Sequence, residues 1–401
     1  MVYNTWKIER YAKNSDSDTW STTAETITSF YDPVVRTSLG DGKDTFSFKL
    51  TNYNGEYDDY WNIGDKVVIY HVVNTSTITS TDILMNGIVT NLPNKQDSSQ
   101  NIIRVEGNNF SETLMSALAF YDPNADVTID TFIKGIINSV ALLNDNFKVT
   151  WTSTTIPSKK RDGVTDFPTT HEKWFYKNVT KALEKFSQNS QTQDGNYYWY
   201  VDVNNQLVWQ PRKDAISYTF DKATDNYLSF ETKRDVKDVV NFVIAKGDAD
   251  PKGRTITDRY DDPVSRAKHG FKYYLMISNK NYAQFLLENE GLDKESYKTA
   301  TYPFTTAWGV TVTSSDNFVE ELRLVVKALL RKDAKAYVEE RNEGKLIVEL
   351  EFINGKGWAI GDVIGVTIPE IGKVNNPMRV QEVEISNSGE RYTLIEDEGT
   401  I

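Results

Sequence analysis

The chain has 401 residues, 39% hydrophobic and 25% charged, a balance that suits a globular protein of about two to four domains, each able to bury a core. A formal charge of −12 argues against a protein whose main task is gripping nucleic-acid phosphates. The absence of cysteine excludes disulfides, thiolate metal sites and a cysteine nucleophile. No apolar run approaches the roughly 18 residues of a membrane span. Met1 to Lys7 lacks a charged region leading into an apolar stretch, so no signal peptide is expected and synthesis in a cytoplasm is. The Asn-x-Ser/Thr triplets at Asn74, Asn109 and Asn178 are then chance matches.

Residues 1–108 read as β-structure. Trp6 to Arg10, Phe46 to Leu50, Val67 to Tyr70, Gly87 to Val89 and Ile102 to Val105 are short strands between turns rich in Asn, Asp, Gly and Ser, the pattern of a small barrel or sandwich. Residues 109–232 read as an α/β insert. Ser111 can cap one helix and Asp130 another, with Phe132, Ile133, Ile136, Ile137 and Val140 on one face. Phe175, Val179, Leu183 and Phe186 predict a third helix over 172–187, and Asn204-Asn205 predicts a two-residue turn between strands 197–203 and 206–210.

Residues 233–401 read as a second β-barrel domain with a helical insertion at about 280–342. Val239 to Ala245 is its first strand. A long helix is predicted from Asn317, with Glu320 completing a capping box, an apolar face of Phe318, Leu322, Val325, Val326, Leu329, Ala334 and Tyr337, and a stop before Gly344. Arg379 to Val383 and Tyr392 to Ile395 are the last strands. The fold class expected is α+β, mostly β: two similar small barrels at the two ends of the chain, an α/β insert between them, and a long helix before the last strands.

One segment occurs twice. Phe46, Phe48 and Leu50 lead to Asn54-Gly55, then Trp61-Asn62-Ile63-Gly64-Asp65, then Val67 and Ile69. Leu346, Val348 and Leu350 lead to Asn354-Gly355, then Trp358-Ala359-Ile360-Gly361-Asp362, then Ile364 and Val366. Asn-Gly supports a tight turn, the second Gly can take backbone angles closed to other residues, and the Asp can bond nearby N–H groups. Trp61 and Trp358 are expected to cover the open ends of the barrels.

This motif, its two positions and the insert between them resemble the baseplate hub proteins of contractile phage tails and related injection machines. The closing segment, Gly361 to Val366, Arg379 to Val383 and Tyr392 to Leu394, is similar to the family's, and so is Asp262-Pro263-Val264-Ser265 up to Gly270. The resemblance implies a homotrimer in which each chain gives two barrels to a pseudo-sixfold ring. Such a ring joins the tail tube protein to the central spike protein, beside other baseplate or distal tail proteins. DNA would pass through its channel without specific binding. The place implied is the virion tail, assembled in the host cytoplasm.

Catalytic readings are weak. His171-Glu172 begins like a zinc-protease motif, but Phe175 stands where the second His belongs. No phosphate loop or nucleophile elbow occurs. Acid pairs at Asp58-Asp59, Asp261-Asp262 and Glu320-Glu321 read as solvated faces in a chain with 57 acids. Asp248-Ala249-Asp250 could open a calcium loop, but Pro251-Lys252-Gly253 departs from the ligand pattern. Tyr197 to Tyr200 cannot form one sugar-stacking surface, since neighbours in a strand point to opposite faces. Lys159-Lys160-Arg161 reads as a turn. The expectation is a structural protein with no catalysis, cofactor or metal. The alternatives are a siphophage-type tail-tip protein, a hub with cell-wall-degrading activity in an appended domain, and a carbohydrate-binding β-protein.

Overall fold

The computed structural model describes residues 4–396 apart from 15–18, 41–43, 53–54, 58, 74, 76, 97–100, 145–146, 161–162, 188–196, 238, 279–280, 294 and 342–343. Two compact units emerge: Met1–Thr232 together with Val348–Ile401, and Lys233–Ile347.

The first unit opens with β1 (Asn4–Tyr11), β2 (Glu25–Ile27), β3 (Phe30–Ser38), β4 (Thr45–Thr51), β5 (Lys66–Val73), β6 (Ile83–Asn91), β7 (Asn94–Gln96) and β8 (Asn101–Asn109). Strand alternation sends Phe46, Phe48 and Leu50 of β4 inward, where they meet Ile8, Val67, Ile69, Val89 and Val105.

The insert holds α1 (Ser111–Ser116), β9 (Leu118–Tyr121), β10 (Val127–Thr128), α2 (Ile129–Leu143), β11 (Thr169–Thr170), β12 (Trp174–Asn178), α3 (Val179–Ser187), β13 (Tyr197–Val201) and β14 (Leu207–Pro211). Its core joins the apolar faces of α2 and α3 to Tyr197, Trp199, Leu207 and Trp209 of the hairpin.

Local chemistry departs from the sequence expectation at four places here. Ser111 does not cap α1; Phe110 stands at the N-cap position, and Asn109 ahead of it accepts from Ser111 N at 2.9 Å. Thr128, not Asp130, sits at the N-cap of α2, and Asp130 instead pairs with Lys134 at 2.9 Å. The third helix starts only at Val179, because Trp174, Phe175, Lys177 and Asn178 pair with β9 as a strand around a bulge at Tyr176, and Asn178 accepts from Thr180 N at 2.8 Å. The hairpin turn is led by Asp202, whose carboxylate accepts from Asn204 N at 2.9 Å and Gln206 N at 2.8 Å. Only Asn205, at φ 60°, is left-handed. β15 (Tyr218–Asp221) and β16 (Ser229–Asp235) follow.

The second unit contains β17 (Phe242–Ala249), β18 (Thr255–Asp261), α4 (Pro263–His269), β19 (Tyr273–Ile277), α5 (Tyr282–Asn289), β20 (Phe304–Thr305), β21 (Thr311–Val312) and α6 (Ser315–Arg341). β17 starts three residues later than Val239 and runs through Gly247, where a Cβ would stand 3.1 Å from Leu330. Asp262 caps α4 by accepting from Val264 N and Ser265 N at 3.0 Å, with Pro263 in the first turn and Gly270 beyond the end at φ 74°. That accounts for the Asp-Pro-Val-Ser…Gly segment.

The long helix begins at Ser315. Ser314 Oγ accepts from Asn317 N at 3.2 Å and Asn317 Oδ1 accepts from Thr313 N at 3.0 Å, so Asn317 belongs to the first turn and Glu320 is free of any capping duty. Its fully buried seam is Phe318, Leu322, Val326, Leu330, Ala334 and Val338, every fourth residue, with Leu330 and Val338 in place of Leu329 and Tyr337.

β22 (Lys345–Phe352), β23 (Val363–Ile368), β24 (Lys373–Ser386) and β25 (Gly389–Glu396) complete the chain. They return to the first unit's sheet, whose order is β16-β22-β25-β24-β3-β4-β8-β6-β5-β1-β2, with β23 joining β15 to β24 and β7 beside β8. The sequence predicts two barrels. Among the described residues the strand pairing closes no barrel, and the two β-halves fuse through β3 and β24 into one large, mostly antiparallel sheet.

Candidate functional site: the duplicated hairpin motif

The two copies of the motif share strand order. In the first, β4-β8-β6-β5-β1 lie side by side; in the second, β22-β25-β24-β23-β15 do. The fifth strand differs in sense, since β1 runs antiparallel to β5 whereas β15 runs parallel to β23. Both copies carry a register break at the same point, between Val89 and Asn91 in one and between Val380 and Glu382 in the other.

The hydrogen bonds match atom for atom. Gly64 N donates to Val89 O at 2.8 Å and Gly361 N to Val380 O at 2.9 Å; Val89 N returns to Asp65 O at 2.8 Å and Val380 N to Asp362 O at 2.9 Å. The carboxylate of Asp65 accepts from Asn62 N at 3.0 Å, and that of Asp362 from Ala359 N at 2.8 Å. Gly64 and Gly361 sit at φ 94° and 82°, angles that fit glycine. Both Asp side chains are buried, as are both tryptophans.

Each Trp packs into an aromatic cluster of its own half. Trp61 meets Phe48 edge-on at 5.6 Å and Trp358 meets Phe352 at 5.5 Å and Tyr392 at 4.9 Å. Asn54 lies outside the described residues. Gly55 is left-handed at φ 77°, while Asn354 is exposed and Gly355 lies where a Cβ would strike the Glu390 carboxylate.

Each Asp also holds a cation brought by the fifth strand or the residues before it. Arg10 of β1 donates to Asp65 at 2.8 Å, and Lys213, ahead of β15, donates to Asp362 at 2.5 Å. Burial works against the Arg10 charge, but its hydrogen bond to Asp65 and the nearby Asp65 and Glu25 carboxylates together outweigh it and the pKa is raised. The Asp362 hydrogen bond raises that of Lys213. The glycine carbonyls take side-chain donors too: Trp20 Nε1 to Gly64 O at 2.8 Å, Arg379 Nη1 to Gly361 O at 2.9 Å. Arg10, Trp20 and Lys213 are the residues that sequence reading missed. Nothing local marks them, since 55 and 149 positions separate the two ion-paired partners.

The weaker chemical candidates are scattered. His171 faces Asp126 at 3.2 Å, Asp261 pairs with Arg266 at 2.7 Å, and Asp250 accepts from Arg254 and Arg323 at 2.8 and 2.7 Å. Asp248 accepts from Ala283 N at 3.0 Å at the start of α5. Among the described residues no group of three His, Asp or Glu side chains is placed to hold a metal ion, and no helix is long and apolar enough to cross a membrane. Apolar surface is exposed instead. On the insert, Phe120 stacks on Phe175 at 4.8 Å beside exposed Leu118 and Tyr176.

No protein-family model matches the chain, and no curated protein matches it in sequence. Its fold is similar to that of the 43 kDa tail protein of prophage MuSo2 from Shewanella oneidensis, with 11% identity, a TM-score of 0.54 and 97% of each chain covered. A tail protein from Neisseria meningitidis MC58 is similar at 12% identity and a TM-score of 0.54, covering 97% of this chain and 95% of that one. Prophage tail protein gp18 from Listeria monocytogenes EGD-e is similar at 11% identity and a TM-score of 0.52, covering 98% and 95%. The chain thus has, over nearly its whole length, the fold of phage tail proteins, the kind of protein its duplicated motif resembles.

Proposed function

We propose that the chain is a structural hub of a phage or phage-like tail, and that it forms a homotrimeric, pseudo-sixfold ring between the tail tube and the central spike. The observation that carries this reading is the internal repeat. Two halves of one chain share strand order, the register break and the hydrogen bonds around Gly64-Asp65 and Gly361-Asp362. Three chains with two such halves present six similar β-elements, which is what a threefold-to-sixfold adaptor requires. Full-length likeness to the fold of three tail proteins supports the same reading.

In this reading the chain has no catalytic role. Its work is done by surfaces such as the Phe120–Phe175 patch, and its net charge of −12 keeps DNA from adhering to the channel. Partners are two further copies, the tube and spike proteins and neighbouring baseplate proteins, in the virion tail. Native mass spectrometry of the chain with the tube and spike proteins encoded beside it tests the assignment. A trimer that binds both supports it, and a monomer that persists with both present overturns it. Zymography on peptidoglycan gives the second arm: clearing that is lost on neutralising Asp262 or Glu320 would replace the structural reading with an enzymatic one.

A further inference from the structure

The three-stranded sheet of the second unit, in the order β18-β17-β19, is covered by α6 on one face only. Its register sets out the other face row by row. Asp261, Phe242 and Tyr273 lie side by side, then Arg259, Ile244 and Leu275, then Thr257, Lys246 and Ile277. The β19 side of every row is apolar and open, with Tyr273 74% and Ile277 65% exposed. Phe271 extends the stripe, 5.2 Å from Phe242 and 6.2 Å from Tyr273.

Two cations, Arg259 and Lys246, border the stripe, and among the described residues no ion pair holds either side chain. They stand out in a chain with 57 acids and 45 bases. An apolar stripe with unpaired cations beside it is the mirror image of an amphipathic surface with acidic margins. Dimensions narrow the occupant further. The rows run about 13 Å along the strands at roughly 3.3 Å per residue, and the sheet's width of about 10–14 Å takes one helix about 10 Å across. α6 already packs on the opposite face in that manner.

We propose that this face seats an amphipathic helix of a partner protein, about nine residues of it in contact, with Leu-type side chains on the stripe formed by Phe242, Ile244, Phe271, Tyr273, Leu275 and Ile277 and carboxylates meeting Arg259 and Lys246. The proposal does not depend on the hub reading; it rests on the second unit alone.

Two fluorescein-labelled, amidated 15-residue helical peptides test it on the full chain, one with a Leu face and Glu flanks, the other with the same face and Lys flanks. The Glu-flanked peptide should bind roughly tenfold tighter, and 1 M salt should erase most of the difference. The double variant Arg259→Glu, Lys246→Glu should reverse the preference while leaving the circular dichroism spectrum unchanged, since both residues are exposed. A photoreactive Leu in the peptide should crosslink within residues 242–277. Equal affinity for the two peptides, insensitivity to the charge reversal, or a crosslink elsewhere overturns the proposal. Self-association in native mass spectrometry that excludes the peptide, and is lost with Leu275→Glu, also overturns it, because the occupant is then a second copy.

Discussion

Arg10 Nε donates to the Asp65 carboxylate at 2.8 Å, and the two side chains keep 7% and 0% of their surface. The guanidinium also lies 4.4 Å over the Tyr60 ring and 5.4 Å over Trp61. The matching pair of the second copy, Lys213 and Asp362, is open on the lysine side, which stays 48% exposed. Two hairpins with the same backbone bonds therefore rest on electrostatics of different depth.

That difference predicts an ordering. Asp65→Asn leaves the buried guanidinium with only the half-exposed Glu25 carboxylate, 3.0 Å from its Nη1, and also weakens the acceptor for Lys13 N and Asn62 N, so it should cost about 3–5 kcal/mol. Asp362→Asn lets Lys213 return to water and keeps an amide oxygen that can accept from Ala359 N, so it should cost about 1–2 kcal/mol, for the lost ion pair and the weaker, neutral acceptor. Urea unfolding of both variants measures it, and equal losses would show that the two copies are energetically alike.

Trp61→Ala and Trp358→Ala should each lower stability by about 3–5 kcal/mol, because each removes a buried ring from a packed aromatic cluster. Denaturant midpoints decide. A near-native midpoint in either variant would mean that its Trp contributes little to the core it covers.

Asp44 gives a pH dependence. Its side chain is buried, accepting from Ser38 N at 2.7 Å and Asn109 Nδ2 at 2.5 Å, and burial pushes its pKa up to about 7. The folded chain keeps this proton up to that pH while the unfolded chain releases it near 3.8, so between the two values folding binds a proton. The contribution of Asp44 to stability is therefore greatest below the ordinary carboxylate range and falls as pH rises to about 7, by roughly 1.4 kcal/mol per unit at most. Chemical denaturation from pH 4 to 8 should show a downward slope that Asp44→Asn flattens; an unchanged slope in the variant would remove Asp44 as its source.

Ser314→Ala should cost about 1 kcal/mol by removing the N-cap of α6. Glu320→Ala should leave the unfolding midpoint where it is, since its partner Arg254 is a surface residue. Thermal scans of the two variants compare them, and a larger effect at Glu320 would restore it to the cap.

The repeat was legible because it is written in short-range chemistry: alternating Phe46, Phe48 and Leu50, a glycine that must be left-handed, and an Asp one step later. The same applies to the seam of α6, which shows in its four-residue period. What sequence could not convey is which distant groups complete each motif. Arg10 and Lys213 are ordinary surface-type residues until β1 and β15 place them beside Asp65 and Asp362. Strand β12 escaped for a different reason. Phe175, Val179, Leu183 and Phe186 have helical spacing, yet tertiary pairing of Trp174 to Asn178 with β9 overrides it. Caps were misread by one to three residues because Asn109, Thr128 and Ser314 stand close to polar residues that could take the same role.

Strand β24 spends its first half beside β23 and its second beside β25 and β3, with Arg36 of β3 reaching Glu382 at 3.2 Å and also Glu384. Pairing between Ser38 and Glu382 thus ties together segments separated by most of the polypeptide. On the ribosome the edge of β3 emerges well before Glu382 to Ser386, the part of β24 that receives it. During that interval β3 is an open template for any neighbouring chain. Dilution, or a holding chaperone, would keep nascent chains from pairing edge to edge until translation reaches residue 386.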